Sequence, residues 1–99
     1  MSPTAKPQLP PALAALREEL GAIDAELIAL LSRRIEIARR IGRAKRAANL
    51  ATLDTRREAQ VVAAAAKRAR LAGLSEEAVR DIFWPIVSMC RRAQQDDDA

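Results

Sequence analysis

The chain has 99 residues, 49% of them hydrophobic, a formal net charge of +4, no histidine and a single cysteine, Cys90. That inventory excludes the usual Cys/His zinc clusters, Ser/His and Cys/His nucleophilic arrangements and an internal disulfide framework, so any catalysis must run on charge and shape. Many alanines, three glycines and only Phe83 and Trp84 as aromatics make a helical composition rather than a sheet one, and the length is one domain's worth, near the size at which helical proteins often gain stability by associating.

Residues 1 to about 11 hold four prolines and are expected to form an extended, flexible arm. They lack the apolar stretch of a secretory signal, and no run reaches membrane-spanning length, so a cytoplasmic protein without membrane contacts is expected. From Leu13 the apolar residues Leu16, Leu20, Ile23, Leu27, Leu30, Ile37, Ile41, Ala44 and Ala48 follow in steps of three and four, skipping one expected position after Leu30, which predicts one helix to about Asn49. At about 1.5 Å per residue such a helix is about 55 Å long, longer than a compact domain of this size, and its apolar stripe calls for a second copy as cover. A kink at Gly42 that folds the helix back is the alternative.

Residues 50–54 break the pattern, and Thr55-x-x-Glu58 resembles a capping box that opens a second helix running to about Ala72 with an alanine-rich buried face. Gly73 suits a C-terminal cap. Ser75, Glu76 and Glu77 suit the start of a third helix that buries Val79, Ile82, Phe83, Ile86, Val87 and Cys90 and carries Pro85 inside it, where a kink is expected. The last residues, 96–99, form an acidic tail expected to be disordered; residues 1–95 hold all 17 basic residues against 10 acidic ones, so the helical body is strongly basic. That balance favours anionic partners without distinguishing nucleic acid from an acidic metabolite.

The three-four series of the first helix puts Arg34 where an apolar residue is due, between Leu30 and Ile37. A guanidinium there pairs with a carboxylate of the protein, reaches solvent, or waits for an anionic ligand. Lys45 follows eleven residues on, within about 20° of the same azimuth and about 16 Å along the axis, so the two can lean toward each other over Ala38 and Ile41. Arg17 lies about 25 Å before Arg34 and about 100° around the helix. In an antiparallel pairing of two long helices, the partner's Arg17 could arrive beside Arg34. At the second helix start Asp54, Arg56, Arg57 and Glu58 crowd together, for which capping by Asp54 or Thr55 with Glu58 is one reading. On the third helix Gln94 continues the row of Phe83, Val87 and Cys90.

Together these residues resemble the AroQ-class chorismate mutases over about residues 13–95: Leu16-Arg17 with Asp24, Arg34, Gly42 with Lys45, Asp54-x-x-Arg57-Glu58, and Gln94. The resemblance implies an all-α fold of one long and two shorter helices per subunit in an intertwined homodimer. It implies conversion of chorismate to prephenate, in aromatic amino acid biosynthesis, with no metal and no cofactor. By the same resemblance, Arg17 of the opposite protomer and Arg34 bind the substrate's carboxylates, and Lys45 and Gln94 donate to its ether oxygen. Arg57 supports the pocket by pairing with acidic neighbours, Asp54 holds the substrate hydroxyl region or the loop, and Glu58 accepts from the ring hydroxyl. Docking to a larger shikimate-pathway enzyme stays open. Isochorismate pyruvate lyase resembles the same fold and cationic pocket and is one alternative. A non-enzymatic basic helical dimer is another, but no basic recognition helix and no aromatic on a basic face favours nucleic acid.

Overall fold

The computed structural model describes residues 9–96, and they form three α-helices: α1, Pro11–Ala47; α2, Thr55–Leu71; and α3, Glu76–Asp96. No strand occurs among the described residues. The expected arm and acidic tail lie mostly outside those residues, and at their inner edges there is helix instead. Pro11 opens α1 and Asp96 closes α3. A proline suits a first helical position, where no N–H is needed, and the Leu13 and Ala14 N–H groups donate to the Pro10 carbonyl at 3.0 and 3.1 Å.

The chain divides into two compact units, residues 1–30 and 31–99. In the first, the expected apolar row is uncovered: Leu16, Leu20, Ile23, Leu27 and Leu30 are 51–61% exposed. The second unit has its own core of small side chains. Ala38, Val62, Ala65, Ala66, Ala69, Val87, Cys90 and Ala93 are buried there, which confirms the alanine-rich face expected of α2 and lets helix backbones approach closely. Val79, Phe83 and Ile86 are half-buried. Ile82, expected in the core, is 58% exposed, because it sits about 100° back from the Phe83–Val87–Cys90 row that faces inward.

Each helix end has a chemical cause. At the end of α1, Asn49 takes a left-handed φ of 58°, the Leu50 N–H donates to the Lys45 carbonyl at 2.8 Å and the Asn49 N–H to that of Arg46 at 3.1 Å. Gly73, with φ 75°, repeats this after α2 through Leu74 to Ala69 at 2.8 Å and Gly73 to Arg70 at 3.1 Å; both are Schellman ends. The Ser75 hydroxyl accepts from the Ala78 N–H at 3.2 Å to start α3. The start of α2 takes the Asp54 alternative over the Thr55–Glu58 capping box: Asp54 is the N-cap, its Oδ1 accepting from the Arg57 N–H at 3.0 Å. Glu58 is engaged elsewhere, as described below. α3 continues as α-helix through Pro85.

Gly42 marks no fold-back, since α1 continues through it. It marks a close approach instead: a Cβ there would stand 2.6 Å from the Gln94 carbonyl oxygen and 2.9 Å from its Cα. Only a residue without a side chain lets α1 pass the last turns of α3 at that distance. No helix among the described residues is long and apolar enough to cross a membrane.

Candidate active site

The helices of the second unit enclose an open cavity of about 450 Å³. α1 lines it with Arg34, Ile37, Ala38, Ile41 and Lys45, the face predicted from the eleven-residue spacing. The approach to α2 and its first turns add Asp54, Arg57, Glu58 and Val61, and α3 adds Val87, Cys90 and Gln94. Of the seven predicted site residues, six therefore converge on one cavity. Arg17 stands on α1 in the first unit and is exposed.

The close pass at Gly42 sets the polar end of the cavity. One turn beyond it, the Lys45 ammonium donates to the Gln94 Oε1 at 3.1 Å and to the Thr52 carbonyl at 2.9 Å. Arg46 donates to the Gln94 carbonyl oxygen at 2.7 Å, which satisfies a helix-end carbonyl and fixes the last turn of α3. With its side-chain oxygen held by Lys45, the Gln94 amide keeps two N–H donors to offer. At the other end, Arg34 Nη1 donates to the Cys90 Sγ at 2.9 Å. Neither Arg34 nor Lys45 has a carboxylate partner among the described residues.

The two acids at the start of α2 behave differently from each other. Asp54 is used by the helix cap. Glu58 faces the cavity but is chelated by Arg91 of α3, whose Nε and Nη2 donate to its two oxygens at 2.9 and 2.8 Å. The hydrogen bond to Glu58, and then its charge, push the Arg91 pKa above the ordinary arginine value. Raised in the folded chain, Arg91 keeps this contribution at any pH below that ordinary value and loses it only as the pH climbs through the higher folded one. Arg57 is exposed on the rim, and its guanidinium has no carboxylate partner among the described residues. Adjacent helical positions point about 100° apart, so Glu58 turns to Arg91 rather than to Arg57. Arg91 escaped the sequence reading, although it stands four residues after Val87 and three before Gln94, the same sign of a charge in an apolar row that picked out Arg34.

The three helices of the described residues thus line an apolar-walled cavity with Arg34 at one end, Lys45 and the Gln94 amide at the other, and the Asp54 and Glu58 carboxylates on its α2 side. Residues 16–95 match the family described as chorismate mutase type II, and the chain belongs to that family. It is 40% identical over 82 residues to a "3-dehydroquinate dehydratase" of Pyrobaculum aerophilum, which covers 83% of this chain and 24% of that protein. It is 40% identical over 52 residues to the "intracellular chorismate mutase" of Mycobacterium tuberculosis, covering 52% of this chain and 50% of the relative. It is also 36% identical over 101 residues to the "4-amino-4-deoxychorismate mutase" of Streptomyces pristinaespiralis, covering 92% and 78%. The chain therefore spans about a quarter to a half of the length of the first two.

Proposed function

We propose that the chain is a cytoplasmic chorismate mutase acting in aromatic amino acid biosynthesis, converting chorismate to prephenate. The observation that carries this reading is the state of the two cavity cations. Arg34 and Lys45 are oriented by a thiol, a carbonyl and an amide rather than by acids, so their charge is left for a ligand with two negative groups. The reaction is an intramolecular rearrangement: one C–O bond breaks as one C–C bond forms, and no proton, electron or group leaves the molecule. It needs the side chain held over the ring and donors where negative charge grows on the departing ether oxygen. Arg34 holds a carboxylate, and Lys45 with the Gln94 amide supplies the donors. Each donor is worth on the order of 2.7–4 kcal/mol by analogy with oxyanion holes. Glu58 accepts from the ring hydroxyl, Asp54 orders the loop beside it, and Arg57 adds positive charge at the rim. This chemistry calls for no metal and no cofactor.

The uncovered row from Leu16 to Leu30 supports an intertwined homodimer in which the partner's α1 covers it and the partner's Arg17 completes the pair of carboxylate ligands. A second reading, rearrangement of 4-amino-4-deoxychorismate, draws on the Streptomyces relative, which 78% of its length aligns with this chain.

Purified protein incubated separately with chorismate, 4-amino-4-deoxychorismate and isochorismate tests the readings together. Prephenate from chorismate is the expected result. Pyruvate and salicylate from isochorismate, with no prephenate from chorismate, would replace the mutase by a lyase. No turnover of any of the three, with a salt-dependent shift of duplex DNA, would replace both by a nucleic-acid-binding dimer.

A further inference from the structure

Arg91 does not line the cavity, yet it grips the carboxylate that does. Glu58 has a side chain only 15% exposed and receives both Arg91 donors at 2.8 and 2.9 Å. Such a fork holds the carboxylate plane in one orientation and uses one lone pair on each oxygen, leaving the others free to accept. The remaining charged groups at the cavity are Arg34 and Lys45 from α1, and Arg57 and Asp54 from the start of α2. Asp54 Oδ1 is occupied by the cap. Glu58 is thus the carboxylate best placed to meet a polar substituent of a ring held between the α1 cations, and it meets it already neutralised.

Neutralisation has a consequence for selectivity. A bare carboxylate would favour an ammonium over a hydroxyl by a charge–charge attraction, and would oppose the substrate's own carboxylates. A carboxylate chelated by a guanidinium keeps its acceptor geometry and loses most of that field. We propose that Arg91 is a positioning residue that screens and aims Glu58, so that the cavity selects a hydroxyl-bearing dicarboxylate ring over its amino-bearing counterpart. This rests on the mutase reading above and deepens it.

The test compares wild type, Arg91→Gln and Arg91→Lys on chorismate and 4-amino-4-deoxychorismate, with circular dichroism as the folding control. Arg91→Gln should lower kcat/KM for chorismate roughly tenfold, mainly through KM, since the unmasked Glu58 repels a dianion. It should also raise the amino-to-hydroxy ratio of kcat/KM by about tenfold, because the ammonium gains from the bare charge while the hydroxyl does not. Arg91→Lys keeps the charge without the fork and should raise the ratio by a smaller factor, about two- to threefold. A folded Arg91→Gln with an unchanged ratio overturns the assignment and leaves the mutase reading standing. Should Arg91→Gln unfold, Arg91→Lys alone decides: a smaller shift in the same direction supports the assignment, and an unchanged ratio overturns it. Wild type that turns over neither compound overturns the mutase reading, and this assignment with it.

Discussion

Replacing Gly42 by alanine separates backbone approach from helix propensity. In an unpacked helix the change would gain about 1 kcal/mol. Here the new Cβ would lie 2.6 Å from the Gln94 carbonyl oxygen, where ordinary contact begins at 3.4 Å, so the two helices must part by about 0.8 Å. The obstacle is backbone, which no rotamer change removes, and overpacking of this kind costs about 1–3 kcal/mol. The upper end of that range applies, which leaves a net loss of about 1–2 kcal/mol and a fall in Tm on the order of 5–15 °C for a chain of this length. Function should suffer more than stability. A shift of 0.8 Å along the Lys45–Gln94 contact would stretch it from 3.1 Å to about 3.9 Å, beyond hydrogen-bond reach. Turnover should then drop by one to two orders of magnitude, approaching the loss of one well-placed donor. Thermal and urea unfolding by circular dichroism, with kcat and KM on chorismate, measures both effects. Gly21→Ala is the reference: nothing lies within 4 Å of its new Cβ, so it should gain up to about 1 kcal/mol from propensity. A Gly42→Ala protein as stable and active as Gly21→Ala would refute the close pass and the account of how Gln94 is seated.

The remaining expectations concern the charges. Arg34→Ala and Lys45→Ala should each abolish measurable turnover while leaving the helical circular dichroism signal intact, since they remove ligand contacts rather than core volume; unfolded variants would mean the side chains are structural. Mixing inactive Arg17→Ala with inactive Arg34→Ala should recover activity after subunit exchange, because one of two mixed pockets would be whole; no recovery after confirmed exchange refutes a pocket shared between protomers. Asp54→Ala removes the α2 cap and should cost about 1 kcal/mol in unfolding free energy, whereas Thr55→Ala should cost far less; the reverse order would restore the Thr55 capping box.

Periodicity made the helices and the cationic face legible, because one stripe per helix and an eleven-residue return depend only on the geometry of α1. Arg34 stood out for the same reason: a charge in an apolar row is visible without knowing what it faces. What could not be read was anything decided between helices. Glu58 has the spacing of a capping box, yet the pull of a guanidinium on α3 outweighs a single exposed N–H, and nothing local announces it. The role of Gly42 was hidden likewise, since the sequence cannot tell a kink from a contact; the answer lies fifty-two residues away, in the backbone of Gln94. Thr52 entered as a member of a pattern-breaking loop, and its carbonyl proves to be a Lys45 acceptor because the Asn49 turn brings it back over the helix end.

The distribution of partners around the basic residues is itself an argument about what the cavity is for. On the outer faces, cations meet acids in the ordinary way: Arg39 and Arg43 approach Glu36, and Arg80 approaches Glu76, all substantially exposed and worth little. Inside, the order is reversed. Arg34 and Lys45 rest on neutral acceptors that fix their direction without cancelling their charge, and the acid beside them is cancelled from behind by Arg91. Had Glu58 paired with Lys45 instead, the site would be equally well hydrogen-bonded and nearly neutral, and a doubly negative guest would gain little by entering. Holding cations with dipoles and anions with a remote cation keeps the field of the cavity positive before any ligand arrives. On the mutase reading, the reorganisation that a rearranging ether would otherwise demand of water is then completed during folding.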